Sequence, residues 1–188
     1  MKKLMILAFV FSISIFNIQA QCNSSKSKAV KTSYYENGEP DVVDIAIGSK
    51  AHTTLVAAVK AADLVGTLKS DGPFTIFAPT NAAFNKLPDG TVNTLLRPEN
   101  KDQLVKILTY HVIAGKFTAK DVVKAIQDGG GKVTLKTVSG NKIIVTMKGK
   151  NVVLKDENGN YSTITATDLE GSNGVIHVID SVVLPKSK

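Results

Sequence analysis

Three histidines, His52, His111 and His177, are the side chains whose chemistry first invites a catalytic reading. Three imidazoles can hold a zinc ion while a fourth position stays open for water. Their spacing does not build such a site. No two form a His-x-x-x-His pair, none is followed by Glu, and the single cysteine, Cys22, lies near the start of the chain. His111 and His177 sit among apolar residues of strand-like segments, where a buried, hydrogen-bonded histidine that ties two segments together is expected. Nucleophilic chemistry fares no better. There is no Gly-x-Ser-x-Gly elbow, and the carboxylates are scattered rather than paired. Gly129-Gly130-Gly131 lacks the Lys-Ser/Thr ending of a phosphate loop and reads as a turn. The residues mark no catalytic, metal or cofactor site, and a metal-dependent hydrolase built on the histidines is the weaker reading.

Charge narrows the partners. The 188 residues carry a formal +7, which becomes +5 if Lys2 and Lys3 leave with a leader peptide. From Lys116 to Lys155 nine lysines stand against only Asp121 and Asp128. Such a segment favours anionic neighbours, although solvated strand faces with lysines guarding sheet edges have the same composition. Arginine occurs once, at Arg97, and no aromatic ladder alternates with the basic residues, so specific nucleic-acid binding is not expected.

Gly72 to Pro88 organises the chain that holds these residues. Phe74 to Phe77 alternates as a strand, Pro79 ends it, and Thr80 stands where a helix N-cap belongs, with Phe84 expected in the core. Before it, Asp41 caps a helix closed by Gly48, and Thr53 to Ala62 repeats apolar residues at helical spacing. After it, Leu104, Ile107 and Leu108 mark a helix that leads into a short strand, Tyr110 to Ile113. Thr118-Ala119-Lys120-Asp121 is a capping box for a further helix. From Lys132 the period changes to two, with strands around Val133, Ile143, Val152 and Tyr161 separated by Ser139-Gly140-Asn141, Gly149-Lys150 and Asn158-Gly159. Asn173 to Ile179 adds a strand, and Val182 to Leu184 closes the domain. Helices first and hairpins later define an α+β fold.

Thr75-x-Phe77-Ala78-Pro79-Thr80-Asn81-x-Ala83-Phe84, Tyr110-His111-Val112 and Asn173-Gly174-Val175-Ile176-His177-Val178-Ile179-Asp180 together resemble the ordered signature blocks of the fasciclin domain family, over roughly Val42 to Pro185. The resemblance implies a twisted β-wedge with several short helices packed on it. It also implies a non-enzymatic binding module with an adhesive role. In animal matrix members a Tyr-His segment and an Asp-Ile pair are linked to receptor binding, and Tyr110-His111 and Asp168-Leu169 stand at those places, Leu replacing Ile. Tyr110 and His111 directly follow a buried helix, so a core role is the competing expectation for both. Some members carry small apolar ligands, which makes a carrier the alternative function.

The beginning of the chain reads as export. Residues 1–20 have a lysine-led start and an apolar middle too short to span a bilayer comfortably, as in a secretory signal peptide. Residues 21–40 are a polar tether and 41–186 a fasciclin-like domain. Cys22, followed by Asn23-Ser24-Ser25, resembles a bacterial lipoprotein start, which makes it a possible lipidation site and the sole route to a membrane; Gln21 before it is larger than such starts prefer. The expected location is the periplasm, cell surface or extracellular space, and the expected partner is a cell-surface or matrix protein or an anionic envelope glycan.

Overall fold

The computed structural model describes residues 38–186; the expected leader, most of the expected tether and Cys22 lie outside the described residues. The organising strand is β1 (Phe74–Pro79). It pairs antiparallel with β2 (Val112–Ala114) on one side and parallel with β7 (Gly174–Ile179) on the other. Alternation sends its side chains into two cores. Ile76 and Ala78 join Val42, Leu55, Leu108 and Ile176, while Phe77 joins Tyr110, Ile126, Ile143, Leu154 and Ile179. At the corner Thr80 Oγ1 accepts the Ala83 N–H at 3.2 Å and caps the one-turn helix Asn81–Phe84. Phe84 packs against the first core as expected, though it is only partly buried there.

The period-two region supplies β3 (Lys132–Lys136), β4 (Lys142–Lys148), β5 (Asn151–Lys155) and the long β6 (Tyr161–Gly171). The seven strands run β2-β1-β7-β6-β5-β4-β3. Register shifts in β6 between Ile164 and Leu169 bend that strand, which serves both halves of the sheet. A bridge between Ile113 and Thr137, with the Val138 N–H donating to Val112 O at 2.8 Å, nearly closes the ends into a wedge. Helices α1 (Val42–Gly48), α2 (Thr53–Ala61) and α3 (Val65–Leu68) cover the first core. Asp41 caps α1 in a reciprocal box with Asp44.

One expected boundary moves. Tyr110 is the last residue of the helix Lys101–Tyr110 and His111 caps it, so the strand begins only at Val112. The buried stripe Leu104, Ile107, Leu108 continues onto Tyr110 at helical spacing, and tertiary burial on that stripe outweighs the aromatic preference for strand. The expected capping box at Thr118 and Asp121 is present and opens the helix Ala119–Asp128. Val182 to Leu184 closes the domain as an extended tail outside the ladders, with Val183 buried.

Asn173-Gly174 ties these pieces together. Asn173 Oδ1 accepts the Val42 N–H at 3.1 Å, its Nδ2 donates to Leu68 O at 2.8 Å, and its carbonyl accepts the Phe74 N–H at 3.0 Å. A Cβ on Gly174 would run into the Phe74 carbonyl, so the parallel pairing of β1 and β7 requires glycine there.

Candidate partner-binding surface

Tyr110 and His111 are placed inside. Tyr110 is 0% exposed and its Oη donates to Lys142 O at 2.9 Å. Burial pushes its phenol up to about 12. His111 Nδ1–H donates to Ile107 O at 2.7 Å and Nε2 accepts the Val183 N–H at 3.3 Å, an arrangement only the neutral ring can make. Burial lowers its pKa to about 4. The two rings meet edge-on at 6.5 Å between centroids. In this conformation neither side chain reaches solvent, and both serve to join the helix end, β4 and the C-terminal tail.

Asp168 and Leu169 are exposed on the bent part of β6, Leu169 to 39%. Asp168 adopts a left-handed φ of 57°. Its Oδ1 accepts the Ala119 N–H at 2.8 Å, adding a carboxylate to that helix start. Its own N–H donates to His177 Nδ1 at 3.4 Å, and His177 Nε2–H donates to Phe117 O at 2.8 Å. The bulge therefore presents Asp168-Leu169 on a held backbone. Among the described residues no hydrogen bond joins this pair to Tyr110 or His111.

His52 completes the set of histidines. Its Nδ1 shares a hydrogen bond with Ser49 Oγ at 2.8 Å, and burial lowers its pKa. Each histidine thus belongs to a separate network, and among the described residues no three His, Cys, Asp or Glu side chains converge as metal ligands.

The lysines form the surface that spacing alone left unresolved. Val133, Leu135, Ile143, Val145, Val152 and Leu154 all contribute to the second core, so strand alternation turns their neighbours outward. The registers then place Lys132, Lys136, Lys142, Lys148 and Lys155 on one outer face, together with Thr134, Ile144, Thr146, Val153, Tyr161 and Thr163. These registered positions include five lysines and no carboxylate. Among the described residues none of the five lies in an ion pair. Alternation is visible within each of β3 to β6, whereas the face arises from the cross-strand register, which turn geometry sets.

A second feature lies on the opposite core. Between α1, α2, α3 and β1 runs an apolar cleft of about 70 Å3, walled by Val42, Val59, Leu64, Phe74 and Ile76, with exposed Ile47 and Val138 also lining it.

These features coincide with a known architecture. A FAS1 domain pair from the insect cell adhesion molecule fasciclin I superposes with a TM-score of 0.54 at 21% identity, covering 69% of this chain and 43% of that one. The fold is accordingly the α+β wedge of FAS1 domains. The sequence adds the family: residues 50–185 match the fasciclin domain model, and the chain belongs to that family. Protein sll1483 of Synechocystis sp. is 46% identical over 166 residues, spanning 88% of this chain and 85% of its own. The transforming growth factor-beta-induced protein ig-h3 of Sus scrofa is 36% identical over 144 residues, which are 77% of this chain but 19% of that much longer protein.

Proposed function

We propose that this protein is an exported, non-enzymatic binding module that holds acidic glycan or an acidic surface protein at the cell envelope or in its matrix. The observation that carries this reading is the outer face of β3 to β6, where five lysines, none in an ion pair among the described residues, share one side of a sheet with no carboxylate at its registered positions. A cationic sheet of this kind attracts polyanions over a Debye length and holds them by many weak contacts. The fasciclin I structure comes from a molecule described as a cell adhesion molecule, which supports a holding role. The lysine-led apolar leader supports export, and Cys22 offers a point for a lipid anchor. Asp168 and Leu169 supply a second contact, with an exposed leucine beside a fixed carboxylate; Tyr110 and His111 position the scaffold from within. Titration with a polyuronate at low and high salt tests the reading. Binding that weakens as salt rises supports it, and binding indifferent to salt removes its electrostatic basis.

The apolar cleft favours a second reading, a carrier of a small apolar ligand. A cleft of about 70 Å3 with apolar walls leaves hydrocarbon surface facing water, a cost that a bound apolar molecule offsets. Mass spectrometry of the natively purified protein tests it: a co-eluting apolar compound supports carriage, and ligand-free protein whose melting does not respond to short aliphatic alcohols counts against it.

A further inference from the structure

Tyr161 is the one aromatic side chain among the registered positions of the lysine face, and it is half exposed at 50%. Lys148 Nζ lies 5.5 Å from its ring centroid and Lys155 Nζ lies 5.6 Å from it. The register explains this meeting. Lys155 is the direct partner of Tyr161, whereas Lys148 lies diagonally across the sheet, with Val153 between them. Val153 is only 3% exposed although it belongs to the outer face, so the phenol reaches toward Lys148 over a filled apolar floor. The ring is thus backed by the sheet and half open to solvent. Two ammonium groups lie over it as cation–π partners, and the hydroxyl-bearing Thr146 and Thr163 flank Val153 in the register.

We infer that Tyr161, Lys148 and Lys155 form a subsite for one hexuronic acid unit of an acidic polysaccharide. This rests on the reading of the lysine face as the binding surface. A pyranose ring offers an apolar face of C–H bonds to the exposed phenol, and a uronic acid adds a carboxylate at its rim within reach of both ammonium groups. A neutral sugar would leave the two cations without a role. A lipid headgroup or inorganic anion would leave the ring without one. A nucleic acid stacks successive bases on successive aromatics, and this face has a single ring.

Isothermal titration with oligogalacturonate provides the test, using the full chain, Tyr161→Ala, Tyr161→Phe, the pair Lys148→Gln with Lys155→Gln, and the distant pair Lys132→Gln with Lys136→Gln. Thermal melts of each variant check the fold. At fixed salt Tyr161→Ala, which changes no charge, should weaken binding about tenfold, while Tyr161→Phe stays within about twofold of the parent. The Lys148 and Lys155 pair should weaken it by a similar factor, and methyl-esterified oligogalacturonate should bind poorly to every form. Parent-like affinity in a folded Tyr161→Ala overturns the subsite. If the Lys132 and Lys136 pair still weakens binding in that case, the lysine face survives without it. No uronate binding by the parent ends both readings. Tyr161-dependent binding that prefers duplex DNA or anionic phospholipid vesicles over oligogalacturonate also overturns the assignment.

Discussion

Tyr110 Oη donates to the carbonyl of Lys142 at 2.9 Å, so the phenol that a partner would need to find is spent anchoring β4, the strand that carries Lys142 and Lys148. Tyr110→Phe keeps the ring and leaves that carbonyl without its partner. It should lower stability by about 1–2 kcal/mol in urea unfolding and leave polyuronate affinity unchanged. A folded variant with parent stability but lost binding would return Tyr110 to direct contact.

His111 links stability to pH. Its folded pKa lies near 4, below the ordinary 6.5, because burial disfavours the charged ring. The unfolded chain therefore binds a proton first. The stabilisation is complete above about pH 6.5 and is lost as pH falls toward about 4, with a limit of about 3 kcal/mol. Unfolding free energies measured across that window should fall with pH, and His111→Gln should flatten the slope while lowering the plateau. An equally steep slope in the variant would place the effect elsewhere.

Asn173 and Gly174 should be the most sensitive positions outside the apolar cores. Asn173→Ala deletes bonds to Val42 and Leu68 in one step, and a loss of about 2–4 kcal/mol is expected. Gly174→Ala should be at least as harmful, since its Cβ meets the Phe74 backbone. Chemical denaturation midpoints of the two variants check this, and parent-like midpoints would contradict the described packing of β1 on β7.

Much of this architecture was legible in the sequence because local rules and tertiary demands agreed. The Asp41 and Thr118 caps, the corner at Thr80 and the hairpin turns each satisfy their own backbone groups within a few residues. Tyr110 failed that test: its aromatic type suits a strand, but its spacing from Ile107 commits it to the helix. Phe84 shows the converse, an aromatic in a signature block whose one-turn helix brings it only partway into the core. Phe84→Ala should accordingly cost about 2 kcal/mol, less than a fully buried ring would.

The candidate surface was harder to read than the fold. Lysine counts along β3 to β6 were visible, but a face is a property of pairing between strands. Lys148 and Tyr161 become neighbours only through the registers of β4 on β5 and β5 on β6. The same applies to Asp156, buried at 3%, whose carboxylate accepts the N–H groups of Asn158 and Asn160 and also that of Leu184. Its Asx turn is local and readable, whereas its hold on the tail is not. Asp156→Ala should therefore destabilise both the hairpin and the tail, by about 2–4 kcal/mol, checked by hydrogen exchange at Val183 and Leu184.

The role proposed for the lysine-bearing outer sheet is to hold polyanions. Its most direct measurement is the affinity for polygalacturonate as a function of salt, in the parent and in a variant with Lys132, Lys136, Lys142, Lys148 and Lys155 changed to glutamine. Binding should weaken steeply with salt in the parent and be lost in the folded variant at every salt concentration. Equal binding by the two proteins would contradict it.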